Sequence, residues 1–567
     1  MDKEYEKKCY ELAHYIFKDV DETIDDLEIR YPARNLKEGA CVTRFAPSPT
    51  GFLHTGALFT SLVDKRLAKQ TDGIFYLRIE DTDGKREVPG SVKLFTEELK
   101  EFGLFPDEGV IAEGKEIGDY GPYTQSKRKR IYEICAKHLV EKGLAYPCFC
   151  TPEMLAATHE AQEKNKIVPG YYGVYAKCRN ISIDESIERV KAGEKFILRF
   201  RSNGSHLKKT SFIDGARGKI EIAENDQDVV ILKGDGLPTY HFAHVVDDHF
   251  MRTTHVVRGE EWIPSTPVHI QLFEAMGFEA PQYIHVPLIM VKDGNSRRKL
   301  SKRKDKEAAV SYFLKAGYPT EAVMEYLMTV ANSDYEIWRN KNKDVSNDKF
   351  NFKLNKMSSA GSLLDIPKLN DISKEIISKM DSKEVLENVL TWSKKYDNKV
   401  NEIINRNLDY SKNIFALERD GAKKIRKDII KWEDIIPTFF YFFNDLYKED
   451  IDNNGYSFDY LNNEDSKLNK EIIKKVLQEY MKIYNENDSK DEWFSNLKEV
   501  ANSLGFCTDM KEYKQNKDKY IGSTADFAGI IRIAVTNRHN TPDIYQIMKL
   551  LGKEEVINRF QGVTNNI

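Results

Sequence analysis

Residues 41–83 hold the feature that most restricts how this chain can fold. CVTRFA reads as a strand, PSPTGFLH as a loop, and TGALFTSLVDKRLAKQ as a helix with Leu58, Leu62, Val63 and Leu67 on one face. Thr71-Asp72-Gly73 makes a turn, and IFYLRI forms a second strand that runs into Glu80-Asp81-Thr82-Asp83. A strand, a helix and a strand joined this closely form a βαβ unit, with parallel strands and a right-handed crossover. A parallel sheet gathers its ligands at the carboxyl ends of its strands.

With 567 residues the chain exceeds what one hydrophobic core supports, so two to four domains are expected. Residues 1–39 read as a charged helical leader that ends at Tyr31-Pro32. Residues 120–240 alternate short helices with β-like pieces. A hairpin-like stretch follows: DVVILK, the turn Gly234-Asp235-Gly236-Leu237-Pro238, then TYHFAHVV. Beyond Tyr312 the pattern turns helical. KEIIKKVLQEYMKIY places Ile472, Ile473, Val476, Leu477, Tyr480 and Met481 on one face, and Thr541-Pro542 reads as the start of a helix ended by Gly552. The Asn/Asp/Lys-rich pieces at 340–350 and 449–470 read as surface loops.

Composition narrows the functions on offer. No apolar run approaches the ~20 residues that span a bilayer. The N-terminal MDKEYEKKCYELAHYIF lacks a signal-peptide core, so a cytoplasmic location and no membrane partner are expected. A net charge of −4 means that any nucleic-acid site is a local basic surface. Of the seven cysteines, Cys148, Cys150 and Cys178 fall in one short segment, which suits metal ligation better than crosslinking; three buried thiols are the alternative.

Two segments carry phosphate chemistry. The Pro- and Gly-rich loop before the first helix lets a ligand approach the backbone, and the helix start offers N–H groups and a positive dipole end. His54 stands at that mouth and can donate to a phosphate oxygen. In RRKLSKRKDK, Lys299 and Lys302 flank Ser301 beyond a turn at Gly294, so the loop can bring cations onto a polyphosphate.

Together these segments resemble the paired signature motifs of class I aminoacyl-tRNA synthetases, PSPTGFLHTG the first and KLSKR the second. TRFAPSPTG, FYLRIEDTD, GPYTQSKR, DGLPTYHFAHVVDDH and THVVRGEEW follow the order found in bacterial-type glutamyl-tRNA synthetases, closely over residues 40–330 and loosely beyond. The resemblance implies an α/β architecture. A Rossmann-like parallel-sheet catalytic domain (40–120 and 239–350) is interrupted by an inserted acceptor-end-binding domain (121–238) and followed by an all-α anticodon-binding domain (351–567). It implies L-glutamate, ATP with Mg²⁺, and tRNA as reactants, and a monomer. Thr55 departs from the family, which carries a large aliphatic residue there; a β-branched Thr fits the space if its hydroxyl finds a partner.

The resemblance also assigns residues. His54, Gly56, Lys299, Ser301 and Lys302 take the nucleotide, with His54 and Lys302 the catalytic pair. Trp262 either packs near the adenine or serves the core. Arg44 faces the side-chain carboxylate with Tyr240 and Arg258, while Glu80, Ser48 and the Ala46 backbone take the ammonium end; His244 is a further contact. Cys148, Cys150 and Cys178, with Tyr175 as fourth, form a structural Zn²⁺ knuckle. Glutaminyl-tRNA synthetases usually show Pro and Glu where this chain has Ala46 and Ser48, which disfavours that relative. A form that also glutamylates glutamine tRNA stays open.

Overall fold

The computed structural model describes residues 3–84, 86–301, 303–358, 361–458 and 467–567. The chain forms two compact units, Met1–Phe313 with Val323–Asp365, and Leu314–Ala322 with Ile366–Ile567. Among the described residues no helix is long and apolar enough to cross a membrane.

In the first unit the leader forms α1 (Lys3–Ile16) and α2 (Ile24–Arg30). The βαβ unit follows as β1 (Val42–Phe45), α3 (Thr55–Gln70) and β2 (Ile74–Leu77), with Val42 to Phe45 paired in parallel to Ile74 to Leu77. All four apolar residues of the predicted α3 face are buried. After α4 (Ser91–Glu101), β3 (Glu108–Ala112) extends the parallel ladder and β4 (Lys115–Ile117) adds an antiparallel edge.

The inserted segment contributes α5 (Lys129–Glu141), β5 (Ala145–Cys148), α6 (Pro152–Lys164), α7 (Ile183–Lys191) and β6 (Ile197–Phe200). The hairpin β7 (Lys209–Asp214)–β8 (Gly218–Ala223) and then β9 (Val230–Leu232) complete it. β5, β6 and β9 form an antiparallel sheet. The leader lies against this segment: Lys8 pairs with Asp184 at 2.8 Å and Lys191 with Glu11 at 3.1 Å.

The chain returns through α8 (Tyr240–Phe250), β10 (His255–Gly259), α9 (Thr266–Met276) and β11 (Gln282–Val286), with β10 and β11 parallel. β10 runs beside β1 in the same direction: Thr254 N–H donates to the Val42 carbonyl at 3.0 Å, and Arg44 Nη1 to the Val257 carbonyl at 3.3 Å. β1 to β4 form one sheet in that order and β10 with β11 a second, two-stranded one that lies beside β1, and the junction between β1 and β10 is the switch point at which a doubly wound fold opens its crevice. The hairpin β12 (Ile289–Asp293)–β13 (Ser296–Lys299) turns at Gly294, whose φ of 59° suits glycine.

One expectation fails at residues 240–250. TYHFAHVV is helix α8, not the second arm of a hairpin; only an isolated bridge between Leu232 and Pro238 marks the turn before it. A short apolar run does not reveal its period, and the Tyr240, His244, Asp248 spacing of four belongs to a helix.

The second unit is built of helices around one core that includes Val389, Ile404, Phe415, Val476, Phe527 and Phe560. The helix Lys470–Ile483 buries Ile473, Val476, Leu477 and Tyr480 as the spacing predicts. The helix Ile544–Leu551 starts at Ile544 rather than at Thr541-Pro542, because the Asp543 side chain caps Gln546 N–H; Gly552 ends it as expected. Of the two polar pieces read as loops, 340–350 begins in the helix Tyr335–Lys341 and 449–470 in the helix Asn444–Asn454, while 459–466 lies outside the described residues.

Candidate active site

The strand ends at the switch point place charge in a fixed order. Arg44, 5% exposed, directs Nε at both Asp248 carboxylate oxygens at 3.3 Å. Arg78 Nη1 donates to Asp248 Oδ1 at 2.7 Å, and its Nη2 donates to Glu80 Oε1 at 2.9 Å. Arg44, Asp248, Arg78 and Glu80 therefore form one buried row of alternating sign. Burial raises the Asp248 pKa, but Arg44, Arg78 and His244 outweigh it and hold Asp248 well below the usual carboxylate range. Burial also raises Glu80, against the pull of Arg78.

Arg258 closes the other side. Its Nε donates to His285 Nε2 at 3.0 Å, Nη1 bonds His269 Nδ1 at 3.1 Å, and Nη2 donates to Thr266 Oγ1 at 2.8 Å. Tyr240 begins α8 between these cations. Burial raises its pKa, Arg258 and Arg44 oppose the rise, and Glu80 adds to it. Its ring packs on Trp262 at 4.5 Å and stacks with His244 at 5.9 Å. His244 is fully buried, with Nε2 3.0 Å from the Tyr283 hydroxyl and Nδ1 2.6 Å from Asp248 Oδ2. Burial lowers its pKa to about 4, leaving it neutral.

The first loop is stitched to this row. Glu80 N–H donates to the Pro47 carbonyl at 3.0 Å, which draws the Ala46–Ser48 backbone to Glu80; Ala46 is half-buried and Ser48 exposed. His54 is the N-cap of α3: its Nδ1 accepts from Gly56 N–H at 3.0 Å, so the neutral ring carries its proton on Nε2, the nitrogen able to donate. A Cβ at residue 56 would stand 3.2 Å from that Nδ1, a tight contact that the glycine avoids. The Thr55 hydroxyl finds its partner in the Glu307 carbonyl at 2.6 Å, and Val310 N–H donates to the Leu53 carbonyl at 3.0 Å. The departure from the family pattern thereby ties the first loop to the segment after the second.

That second loop is built differently. Arg298 grips Asp305 through two bonds of 2.7 Å, and Asp305 also accepts from Ser301 N–H at 2.8 Å. Arg298, with burial opposing, pulls the Asp305 pKa down to about 2. Lys299 pairs with Glu261 at 2.8 Å, two residues from the half-buried Gly259. Lys302 lies outside the described residues.

In the inserted segment the Cys148, Cys150 and Cys178 sulfurs lie within 4.8 Å of one another, and Cys150 and Cys178 are 3.6 Å apart. Thiolates on a tetrahedral zinc stand about 3.8 Å apart, given Zn–S near 2.3 Å, so the set fits such an ion. Hydrogen bonding to Cys178, against burial, draws the Cys148 pKa down to about 4. The Tyr175 expectation is corrected. The phenol at the thiols belongs to Tyr171, 3.3 Å from both Cys148 and Cys150, while the Tyr175 ring meets Tyr172 edge-on. The intervening residues form a 3₁₀ turn that no spacing rule anticipates.

Sequence reading passed over Asp248, Arg78 and Asp247. Asp247 accepts from Gln125 at 2.8 Å, Arg128 at 2.6 Å and Tyr132 at 2.9 Å, fastening α8 to the inserted segment. Two adjacent acids inside an apolar helix, three and four residues beyond His244, were the available signal.

Residues 40–371 match the catalytic domain of class I tRNA synthetases (E and Q), and residues 384–564 match an anticodon binding domain. The chain belongs to the class I tRNA synthetases of the glutamate and glutamine branch. Within that branch it is similar to the glutamate–tRNA ligases of Clostridium perfringens (strain SM101 / Type A) and Clostridium beijerinckii. Each is 48% identical, over 97% of this chain and 98% of the first relative, and over 98% and 99% for the second. A crystal structure of a glutamate tRNA ligase from Elizabethkingia meningosepticum, in complex with its amino acid, superposes with a TM-score of 0.73 at 26% identity. It covers 93% of this chain and 99% of that one.

Proposed function

We infer that the chain is a glutamate–tRNA ligase working in two steps at this site. The observation that carries the reading is the buried charge cluster at the switch point, where Arg44, Arg258 and Glu80 supply two cations and a carboxyl, the charge complement of glutamate. Arg44 and Arg258, with the Tyr240 hydroxyl, take the side-chain carboxylate. Glu80, with the Ala46–Ser48 backbone and His244 nearby, takes the ammonium.

In the first step an α-carboxylate oxygen of glutamate attacks the α-phosphate of ATP, forming the acyl–phosphate bond as pyrophosphate leaves. The carboxylate is already a nucleophile, so the protein's work is positioning and charge stabilisation. His54 Nε2–H and the start of α3 meet the phosphates, and Lys302, Lys299 and Ser301 approach from the second loop. Trp262, packed on Tyr240, forms a wall between the amino-acid and nucleotide ends. Mg²⁺ arriving with ATP supplies further neutralisation. In the second step a ribose hydroxyl of the terminal tRNA adenosine attacks the activated carbonyl, and AMP leaves with the bonding electrons.

Residues 121–238 receive the acceptor end, with Cys148, Cys150, Cys178 and Tyr171 holding a structural Zn²⁺, and residues 351–567 read the anticodon. The enzyme acts in the cytoplasm as a monomer. Zinc at one equivalent per chain by elemental analysis, falling sharply in Cys148→Ser, supports the knuckle; purified protein without metal and with three freely titrating thiols contradicts it. Charging assays with purified glutamate and glutamine tRNAs test the function. Glutamate on the glutamate tRNA alone marks a discriminating enzyme, glutamate on both marks the broader form, and glutamate on neither refutes the reading.

A further inference from the structure

Arg258 is aimed by groups that no motif contains. A guanidinium has only N–H donors, so each atom facing one must accept. His285 Nε2, 3.0 Å from Arg258 Nε, is therefore the bare nitrogen, and the His285 proton sits on Nδ1, 2.7 Å from Asp214 Oδ2. By the same rule His269 Nδ1 accepts from Arg258, so its proton sits on Nε2 and donates to His241 Nδ1 at 3.0 Å. Asp214 is itself pinned at the end of β7. Its Oδ1 accepts from Ala216 and Arg217 N–H, each at 2.9 Å, and its Oδ2 also from His285 N–H at 3.1 Å. Asp214, Arg258, His269 and His285 are all buried.

We propose that Asp214, His285, His269 and His241 form a chain of fixed tautomers that positions Arg258, so that the β7–β8 hairpin of the inserted segment sets the grip on the substrate's side-chain carboxylate. The chain takes three of the guanidinium's five N–H groups, counting Thr266, and leaves two for Tyr240 and an incoming carboxylate. Burial lowers the pKa of His285, His269 and His241, which keeps each ring neutral and able to accept. These are positioning residues, and their role rests on the reading of Arg258 as a glutamate partner.

Asp214→Asn is the sharpest test. With its oxygen kept on the Ala216 and Arg217 N–H groups, the new amide donates to His285 Nδ1 and drives the ring proton onto Nε2, against an Arg258 donor. The glutamate KM rises by roughly 10²-fold, on the scale of a misplaced positioning contact, while the ATP KM holds. His285→Leu, which removes the acceptor, does the same. His285→Gln, whose amide oxygen stands near the lost Nε2, stays close to wild type. ¹⁵N-histidine NMR of the wild-type protein shows His285 protonated on Nδ1 and His269 on Nε2. The proposal is overturned by the opposite wild-type tautomers, by an unchanged glutamate KM in both Asp214→Asn and His285→Leu, or by an equal loss for ATP and glutamate in all three variants. A wild-type enzyme that charges no tRNA with glutamate refutes the functional reading instead, and leaves the tautomer spectrum to be judged separately.

Discussion

The two ends of the proposed active site hold their charges in opposite ways. At the amino-acid end, Arg78 and Asp248 are fully buried and Arg44 nearly so, bonded to one another before any substrate arrives. At the phosphate end, Lys299 and Glu261 keep 53% and 40% of their side chains in water, and Arg298 and Asp305 are partly exposed. Buried ion pairs are costly to break and hold one geometry; exposed pairs contribute little and exchange readily with other partners. Selectivity for a small acid needs the first kind. A loop that takes up and releases a polyphosphate needs the second.

Asp248→Asn leaves Arg44 and Arg78 without their shared counter-charge, and removing one member of a buried pair typically costs about 3–5 kcal/mol. Urea unfolding should show that loss together with near-complete loss of glutamate charging; a stability change within ~1 kcal/mol contradicts the buried lattice. Arg44→Gln should weaken glutamate by roughly 10²-fold or more while sparing ATP, since the groups that lose a partner, the substrate carboxylate and Asp248, both lie at the amino-acid end. Equal losses for both ligands indicate misfolding, which circular dichroism detects.

The phosphate end should respond in rate rather than in stability. Lys302→Ala lowers kcat for activation by roughly 10²-fold with little change in glutamate KM, as for the loss of one preorganised donor. An unchanged activation rate removes Lys302 from the catalytic pair.

Acid should act on the amino-acid end. His244 is held neutral with a folded pKa of about 4 against roughly 6.5 when unfolded, so below the unfolded value the unfolded chain binds more protons. Its contribution is therefore fully present above roughly pH 6.5 and lost as pH falls through about 4, amounting to about 3 kcal/mol at the limit. Burial shifts Asp64 and Glu80 upward, so these two act in the opposite sense and soften the slope. Denaturation midpoints between pH 7 and 5 check the sign, and rising stability with acid contradicts it. Lys299→Ala gives the smallest effect on folding, within ~1 kcal/mol, because its pair with Glu261 is exposed.

Much of this was legible in the sequence where local pattern and chemistry agree. The βαβ unit, the α3 face and the capping His54 follow from apolar spacing and from what a loop before a helix offers. Arg44, Glu80 and Arg258 were nameable through the family resemblance, with which the place of Arg44 and Glu80 near strand ends agreed. The supporting groups were not. Asp248 meets Arg44 across 204 positions and Asp214 meets His285 across 71, and no local period encodes such contacts. Tyr171 replaced Tyr175 because a 3₁₀ turn altered which phenol reaches the thiols, and α8 was misread because a short apolar run fits either period.

The central claim is that this pocket selects a side-chain carboxylate. Competitive charging of total tRNA with labelled glutamate, glutamine and aspartate measures it directly. The charge row predicts glutamate over glutamine by roughly 10³-fold or more, because a neutral amide leaves Arg44 and Arg258 facing a group that cannot satisfy them. Preferential charging with glutamine, or equal charging with both, contradicts the account.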